Sequence, residues 1–221
     1  MNASPSPLCN ATRFQTVWQR LGSNVDGVEL FTHLLEAYRQ PHRAYHTVAH
    51  IEACLYQLDG YQLDVAQTQA ERPAEVEMAL WFHDAVYGLK AADNEAQSAL
   101  WAAQALHQSG VSAVVSDRIT TMILATTHDR PPETHDCALL LDIDLSILGQ
   151  SPEAFAVYEQ HIRTEYHWVT EKQYRAGRAA ILEQFLARST IYYTPFFQAR
   201  LEAQARWNLE RSIATLCGQR F

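Results

Sequence analysis

The chain has 221 residues, of which 48% are hydrophobic and 19% charged, a composition typical of globular proteins that argues against long disorder. Its formal net charge of −8, with no run of basic residues, disfavours binding to nucleic acid polymers and to anionic membrane surfaces. The sequence shows no secretory signal and no apolar run near the roughly 20 residues of a membrane span, so we expect a cytoplasmic protein.

Apolar residues recur at spacings of three and four along nearly the whole chain, which indicates helices rather than strands. The predicted helices cover residues 11–22, 27–39, 45–60, 73–88, 94–109, 111–127, 136–149, 152–168, 171–188 and 195–217. Gly88 and Gly110 mark helix ends, Asp93 is a candidate helix cap, and Pro131-Pro132 forces a loop. No repeat or linker divides the chain. We therefore expect an irregular segment over 1–10 and one all-α domain, a helical bundle, over 11–221.

Asp144 interrupts an apolar segment in which it should face the core. At about 100° per residue, a helix over 136–149 places Leu140 and Leu141 on the face centred on Asp144 and puts Asp142 on the opposite face. A carboxylate directed at the core needs a counter-ion. The pattern therefore favours Asp144 over Asp142 as the functional carboxylate.

Two further polar groups lie beside apolar stripes. His83 and Asp84 are consecutive after an apolar run, and on one helix both could reach an ion beside its last turn. His50 follows His46 by one helical turn, so the two would share a face. For any one of these groups alone, a hydrogen-bonded core histidine or an Asp–Arg pair is the favoured explanation. Two imidazoles and two carboxylates on three helices instead favour a divalent ion with open coordination positions.

A histidine, a consecutive His-Asp pair and a distant aspartate form the defining pattern of the HD superfamily of metal-dependent phosphohydrolases, which this chain resembles. One bacterial branch is similar over roughly residues 30 to 210, in segments that include Trp81-Phe82-His83-Asp84, Asp93-Asn94-Glu95, Asp142-Ile143-Asp144-Leu145, Ile147-Leu148-Gly149, Ile162-Arg163-Thr164-Glu165-Tyr166 and Ala205-Arg206-Trp207-Asn208-Leu209. The resemblance implies an HD-type bundle with His50, His83, Asp84 and Asp144 as metal ligands. The ion would be Mn, Co, Ni, Zn, Mg or Fe.

The resemblance also implies hydrolysis of a small phosphorylated, nucleotide-like substrate by a metal-bound hydroxide. Several HD nucleotidases carry an acidic residue shortly after the His-Asp pair, whereas Ala85, Val86 and Tyr87 stand here. Glu95 and His128 are therefore the candidates for acid–base catalysis or for a second ion. Glu95 is explained equally well as an acid at a helix N-terminus. A helix C-cap is the alternative for His128, for which the functional interpretation is favoured.

Lys90 and Arg163 are the candidates for binding the substrate phosphate. The ordinary alternatives are a solvated surface lysine and a pair between Arg163 and Glu159 one turn earlier.

Two other functions fit the same residues. Extra ligands from Glu95 and His128 would suit a di-iron HD-type oxygenase. A metal pocket that binds a nucleotide without hydrolysing it would suit a non-catalytic nucleotide-sensing module. The four cysteines form no C-x-x-C pair, and Cys54 and Cys137 are interpreted as small packing groups near the ligand helices.

Overall fold

A computed structural model describes residues 8–64 and 69–218. Within these ranges the regular structure is helical and contains no strand, which confirms the all-α prediction. Most of the predicted irregular segment, residues 1–7, lies outside the described residues, and 8–10 precede the first helix without helical structure.

Each predicted helix is present among the described residues, and most end a few residues earlier than predicted. The helices are α1 (Ala11–Arg20), α2 (Val28–Tyr38), α3 (Val48–Leu63), α4 (Pro73–Phe82), α5 (Asn94–Gln108), α6 (Ala113–Ala125), α7 (His135–Asp144), α8 (Pro152–Glu165), α9 (Glu171–Leu186) and α10 (Pro195–Leu216). A short 3-10 helix over Leu145–Gly149 follows α7 directly.

Local sequence explains where several helices begin and end. The side chains of Asn10 and Ser151 accept hydrogen bonds from the first-turn backbone of α1 and α8, and Thr170 forms a reciprocal capping box with Gln173 at α9. Gly110 has a φ of +80° just after α5, a conformation that glycine adopts without strain. Polar caps and glycine therefore set helix boundaries that apolar periodicity leaves uncertain by several residues.

The helices group into two compact units, Met1–Asp144 with α1 to α7 and Leu145–Phe221 with the 3-10 helix and α8 to α10. The expectation of one domain over 11–221 stays a prediction.

In the first unit, α4 lies at the centre and packs against α1, α3, α5, α6 and α7. Its residues from Glu75 to Phe82 are all buried, so beyond its first two residues the helix has no solvent-facing side. The C-terminal end of α4 also lies inside the unit. His83 and Ala85, which follow it, are buried as well.

In the second unit, α10 packs against the 3-10 helix and α9. The Asn208 amide donates to the carbonyl oxygens of Leu148 and Gln150, at 2.8 and 2.9 Å, and the Tyr192 hydroxyl donates to the carbonyl oxygen of Leu145. The bonds from Asn208 satisfy carbonyl groups at and just beyond the C-terminal end of the 3-10 helix, which its own backbone leaves open.

Among the described residues, no helix combines the length and the apolar character that crossing a membrane requires.

Candidate metal centre

Three buried side chains, His50, Cys54 and His83, form a group that could hold a metal ion, with candidate ligand atoms within 4.8 Å of one another. The Nε2 atoms of the two imidazoles are 3.0 Å apart. The His50 and His83 side chains are 3% and 1% exposed, so bulk water contributes little to balancing any charge there.

Two carboxylates complete this group. The Oδ2 atom of Asp84 lies 3.0 Å from His83 Nε2 and 3.4 Å from His50 Nε2. The Oδ1 atom of Asp144 lies 3.5 and 3.3 Å from the same two atoms. The structure thus brings together His50, His83, Asp84 and Asp144, the four residues expected from the sequence.

The His83-Asp84 pair reaches the site from a turn and not from a helix. The predicted helix 73–88 is too long, because α4 ends at Phe82 and His83 is its C-cap. The Nδ1 atom of His83 lies 2.8 Å from the carbonyl oxygen of Leu80, a group that the helix end leaves free. This bond turns the opposite edge of the ring, with Nε2, toward the carboxylates.

The helix that carries His50 is α3, which begins at Val48, later than the predicted start at 45. His46 therefore precedes the helix, and the expectation that His46 and His50 share a helical face is wrong. Their rings lie 6.0 Å apart between centroids and nearly perpendicular, and the His46 ring instead stacks on Tyr87 at 4.2 Å.

The structure corrects the placement of Asp142 on a face opposite the core. Asp142 is fully buried, and α7 is buried on nearly every side. The predicted regular helix 136–149 also changes to a 3-10 helix after Asp144, which invalidates the angles assigned to residues beyond it. Asp144 nevertheless directs one oxygen at both imidazoles of the group.

His128 joins the site through Asp144. Its Nε2 atom lies 2.9 Å from Asp144 Oδ2, the oxygen that is farther from His50 and His83. His128 has a φ of +56°, the left-handed region that residues with a Cβ rarely occupy. Its backbone N–H donates to the Ala125 carbonyl oxygen at 3.0 Å in the turns that follow α6, so the alternative of a helix C-terminal cap also fits the backbone. Such strain is typical of positions that serve function.

The charges in the site stabilise one another. Burial alone would raise the pKa of Asp84, but the imidazoles of His83, His46 and His50 hold it well below its usual range. Burial also opposes ionisation of Asp144, whose pKa is lowered by hydrogen bonds with His128, His50 and His83. The neighbouring carboxylates outweigh burial in His83 and raise its pKa well above the usual value. Both carboxylates are therefore ionised, and in the protein without an ion the protonated ring of His83 balances part of their charge.

Cys54 was expected only to pack, and its contact with His50 was missed. Its sulfur lies 3.9 Å from Nδ1 and 3.8 Å from Nε2 of His50. A sulfur equidistant from both nitrogens lies beside the ring and out of line with the Nε2 lone pair. Burial, with the charges of Asp144 and Asp84, raises the thiol pKa well above its usual value, so the sulfur stays protonated. The spacing of four residues on α3 is the signal that could have revealed this contact.

Glu95 lies half-buried in the first turn of α5. Among the described residues its carboxylate forms no hydrogen bond or ion pair, a position that suits an acid complementing a helix N-terminus. Asp93 occupies the N-cap position without the expected side-chain cap, and it accepts a hydrogen bond from the Gln97 side chain instead.

The two residues expected to bind phosphate lie in different units. Lys90 is exposed between α4 and α5. Arg163 donates to Glu171 and to the carbonyl oxygens of Tyr166 and Val169. Its guanidinium therefore stabilises the loop that joins α8 to α9. The alternative pair between Arg163 and Glu159 does not form, because Glu159 accepts two bonds from Arg178. Phosphate binding by Lys90 and Arg163 stays a prediction.

Comparison of the chain with family models, with curated proteins and with solved structures finds no match in any of the three. Evidence for function therefore comes from the arrangement of the chain's own side chains.

Proposed function

We propose that the chain is a metal-dependent phosphohydrolase of the HD type, with one divalent ion held by His50, His83, Asp84 and Asp144. The observation that carries this proposal is the spacing of four candidate ligand atoms, between 3.0 and 3.5 Å for five of their pairs.

This spacing fits a single coordination sphere. Nitrogen and oxygen ligands lie about 2.1 Å from a transition-metal ion, which places them about 3.0 Å apart at right angles and about 3.4 Å apart at the tetrahedral angle. Because His83 Nδ1 faces the Leu80 carbonyl oxygen, Nδ1 carries the proton of the neutral ring and Nε2 presents its lone pair to the site. A divalent cation between these atoms would displace the proton of a charged His83 ring and balance both carboxylates.

The donor set indicates the class of ion. Two imidazole nitrogens with two carboxylate oxygens suit Mn, Fe, Co, Ni or Zn, whereas Mg prefers oxygen ligands. Such an ion supplies, when bound, a water that ionises near neutral pH and a positive charge for a phosphoryl oxygen. The contact between His128 and Asp144 Oδ2 fixes the carboxylate, so Oδ1 stays directed at the two imidazoles.

The exposure of the four side chains indicates the direction of substrate approach. The Asp84 and Asp144 side chains are 16% and 17% exposed, while both imidazoles are almost completely covered. A small phosphorylated compound, including a nucleotide, would therefore reach the site from the carboxylate side.

The first test is elemental analysis of the wild type and of His83→Ala, purified alike, with His33→Ala as a matched control because His33 is exposed on α2. We expect about one divalent ion per chain in the wild type and the control, and its loss from His83→Ala. The loaded wild type should then release phosphate from members of a panel of nucleotides and other phosphomonoesters. Absence of metal from the wild type even after reconstitution contradicts the site, and metal binding without turnover of any phosphorylated compound contradicts the hydrolase.

A di-iron oxygenase is the second candidate, favoured by the His128 imidazole on the outer oxygen of Asp144. It requires two irons per chain and oxygen uptake that depends on substrate. A single non-redox ion in active protein contradicts it.

A further inference from the structure

Arg43 is a buried cation next to the candidate metal centre. Only 7% of the residue is exposed. Its Nη1 atom donates to the carbonyl oxygens of His46, at 3.0 Å, and of Asp84, at 2.7 Å. Its Nη2 atom donates to the carbonyl oxygen of Ala85 at 2.9 Å.

These three carbonyl groups belong to the two chain segments that bring ligands to the site. His46 lies in the segment that enters α3 and leads to His50, and Asp84 and Ala85 lie in the turn that leaves α4. The two segments are 38 residues apart at His46 and Asp84 (84 − 46). One planar guanidinium therefore fixes the backbone of one ligand segment relative to the other.

Aromatic rings fix the guanidinium in turn. Its central carbon lies 4.9 Å from the ring centroid of Tyr38 and 5.4 Å from that of Tyr87, both within the range of cation–π attraction. The ring of Tyr87 also stacks on His46, so the same aromatic surface supports both the arginine and the segment that it holds.

Tyr38 forms further hydrogen bonds to the turn that follows α4. Its hydroxyl donates to the carbonyl oxygen of Trp81 at 3.2 Å and accepts from the backbone N–H of Asp84 at the same distance. The tyrosine is 1% exposed, so these bonds form away from solvent. The last turn of α4 and the backbone of Asp84 are thereby joined through one oxygen atom.

We propose that Arg43, supported by Tyr38, is a positioning residue that sets the metal affinity of the site by holding the Asp84 backbone in register with the segment of His50. This inference rests on the proposed metal site and extends it to groups outside the coordination sphere. A lysine at position 43 would keep the charge but could not present two parallel donors to Asp84 and Ala85. Loss of a group that orients a metal ligand typically weakens metal binding about 10- to 100-fold.

The test measures the Zn²⁺ dissociation constant by competition with a chromophoric chelator for the wild type, Arg43→Lys, Arg43→Ala and Tyr38→Phe. Arg20→Ala, at an exposed arginine on α1, is the matched control. Circular dichroism and thermal melting establish which variants fold. We expect about 10- to 100-fold weaker binding in Arg43→Lys, a smaller loss in Tyr38→Phe and no change in Arg20→Ala.

Two further readouts separate positioning from a general loss of stability. The visible absorption of the Co²⁺-loaded protein should change in Arg43→Lys, because the ligand geometry changes. Methylguanidinium should partly restore Zn²⁺ affinity in Arg43→Ala. If Arg43→Ala and Arg43→Lys fail to fold, Tyr38→Phe carries the test through its affinity and Co²⁺ spectrum.

Folded variants with wild-type Zn²⁺ affinity and an unchanged Co²⁺ spectrum would overturn the role of Arg43 and Tyr38 while leaving the metal site in place. A wild type that binds neither ion would overturn the site itself, and the positioning role with it.

Discussion

The Nδ1 atom of His83 faces the carbonyl oxygen of Leu80 at 2.8 Å, and this contact determines which ring nitrogen is available to an ion. In the neutral ring the proton must lie on Nδ1, since a carbonyl oxygen can only accept. We expect long-range ¹H–¹⁵N spectra of the Zn²⁺-loaded protein to show a protonated Nδ1 for His83. The signal is assigned by its absence from His83→Ala. An unprotonated Nδ1 would contradict the proposed coordination through Nε2.

Arg13 joins three helices of the first unit, and its loss should be costly. Its guanidinium contacts Asp59 and Glu77 at 2.7 Å, with only 17% of the Arg13 side chain and 10% of the Glu77 side chain exposed. Arg13→Met would leave the buried Glu77 carboxylate without this partner, so we expect a loss of about 3 kcal/mol in the free energy of unfolding. Urea denaturation followed by circular dichroism measures it.

The matched control is the surface pair of Arg72 and Glu71, whose side chains are 44% and 62% exposed. Arg72→Met should change the unfolding free energy by less than about 1 kcal/mol, because water already solvates both charges. Equal effects of the two substitutions would show that the Arg13 network contributes no more than a surface ion pair.

Two glycines should respond oppositely to alanine. A Cβ at Gly149 would lie 2.5 Å from the Cβ of Leu201 and 2.9 Å from the Tyr192 hydroxyl, so Gly149→Ala should destabilise the second unit by about 1–3 kcal/mol. A Cβ at Gly177, inside α9, meets nothing within 4 Å, and Gly177→Ala should stabilise by about 0.5–1 kcal/mol. Thermal melting of the three proteins should show melting temperatures on opposite sides of the wild type. A neutral Gly149→Ala would mean that α10 does not pack this closely on the 3-10 helix.

The cysteines should differ sharply in reactivity. Cys217 is exposed, whereas Cys9, Cys54 and Cys137 are buried. Burial raises the pKa of Cys9 to about 12 and that of Cys137 to about 11, so both thiols stay protonated and unreactive at pH 8. We expect one thiol per chain to react rapidly with Ellman's reagent and four in denaturant. Cys217→Ser should abolish the rapid reaction, and rapid labelling that persists in this variant would contradict the burial of the other three.

Helix positions could be predicted from the sequence because residues that begin or end a helix through local effects lie near several helix ends. Pro152 occupies the first turn of α8 and Gly110 follows α5, and each acts through its own backbone geometry. The exit from α4 could not be predicted in this way. An apolar run with no breaker leads into His83, and the helix ends there within a packed interior.

The direction of a side chain was predictable only where a helix has distinct faces. The helix α7 is buried on almost every side. The position of its apolar residues therefore does not show which side faces solvent, and the placement of Asp142 on an exposed face was wrong for this reason. Arg43 was missed for a different reason. It acts on backbone carbonyl oxygens, which every residue possesses, and no pattern of residue types marks such a contact.

The left-handed backbone at His128 and the contact of its ring with Asp144 act on stability in opposite directions. A glycine would adopt a φ of +56° without steric penalty, whereas alanine would keep the penalty and lose the imidazole. His128→Gly should therefore yield a protein that outlasts His128→Ala on heating although both lack the contact with Asp144. At this one position the backbone conformation costs stability, while the ring that it places beside Asp144 offsets part of that cost.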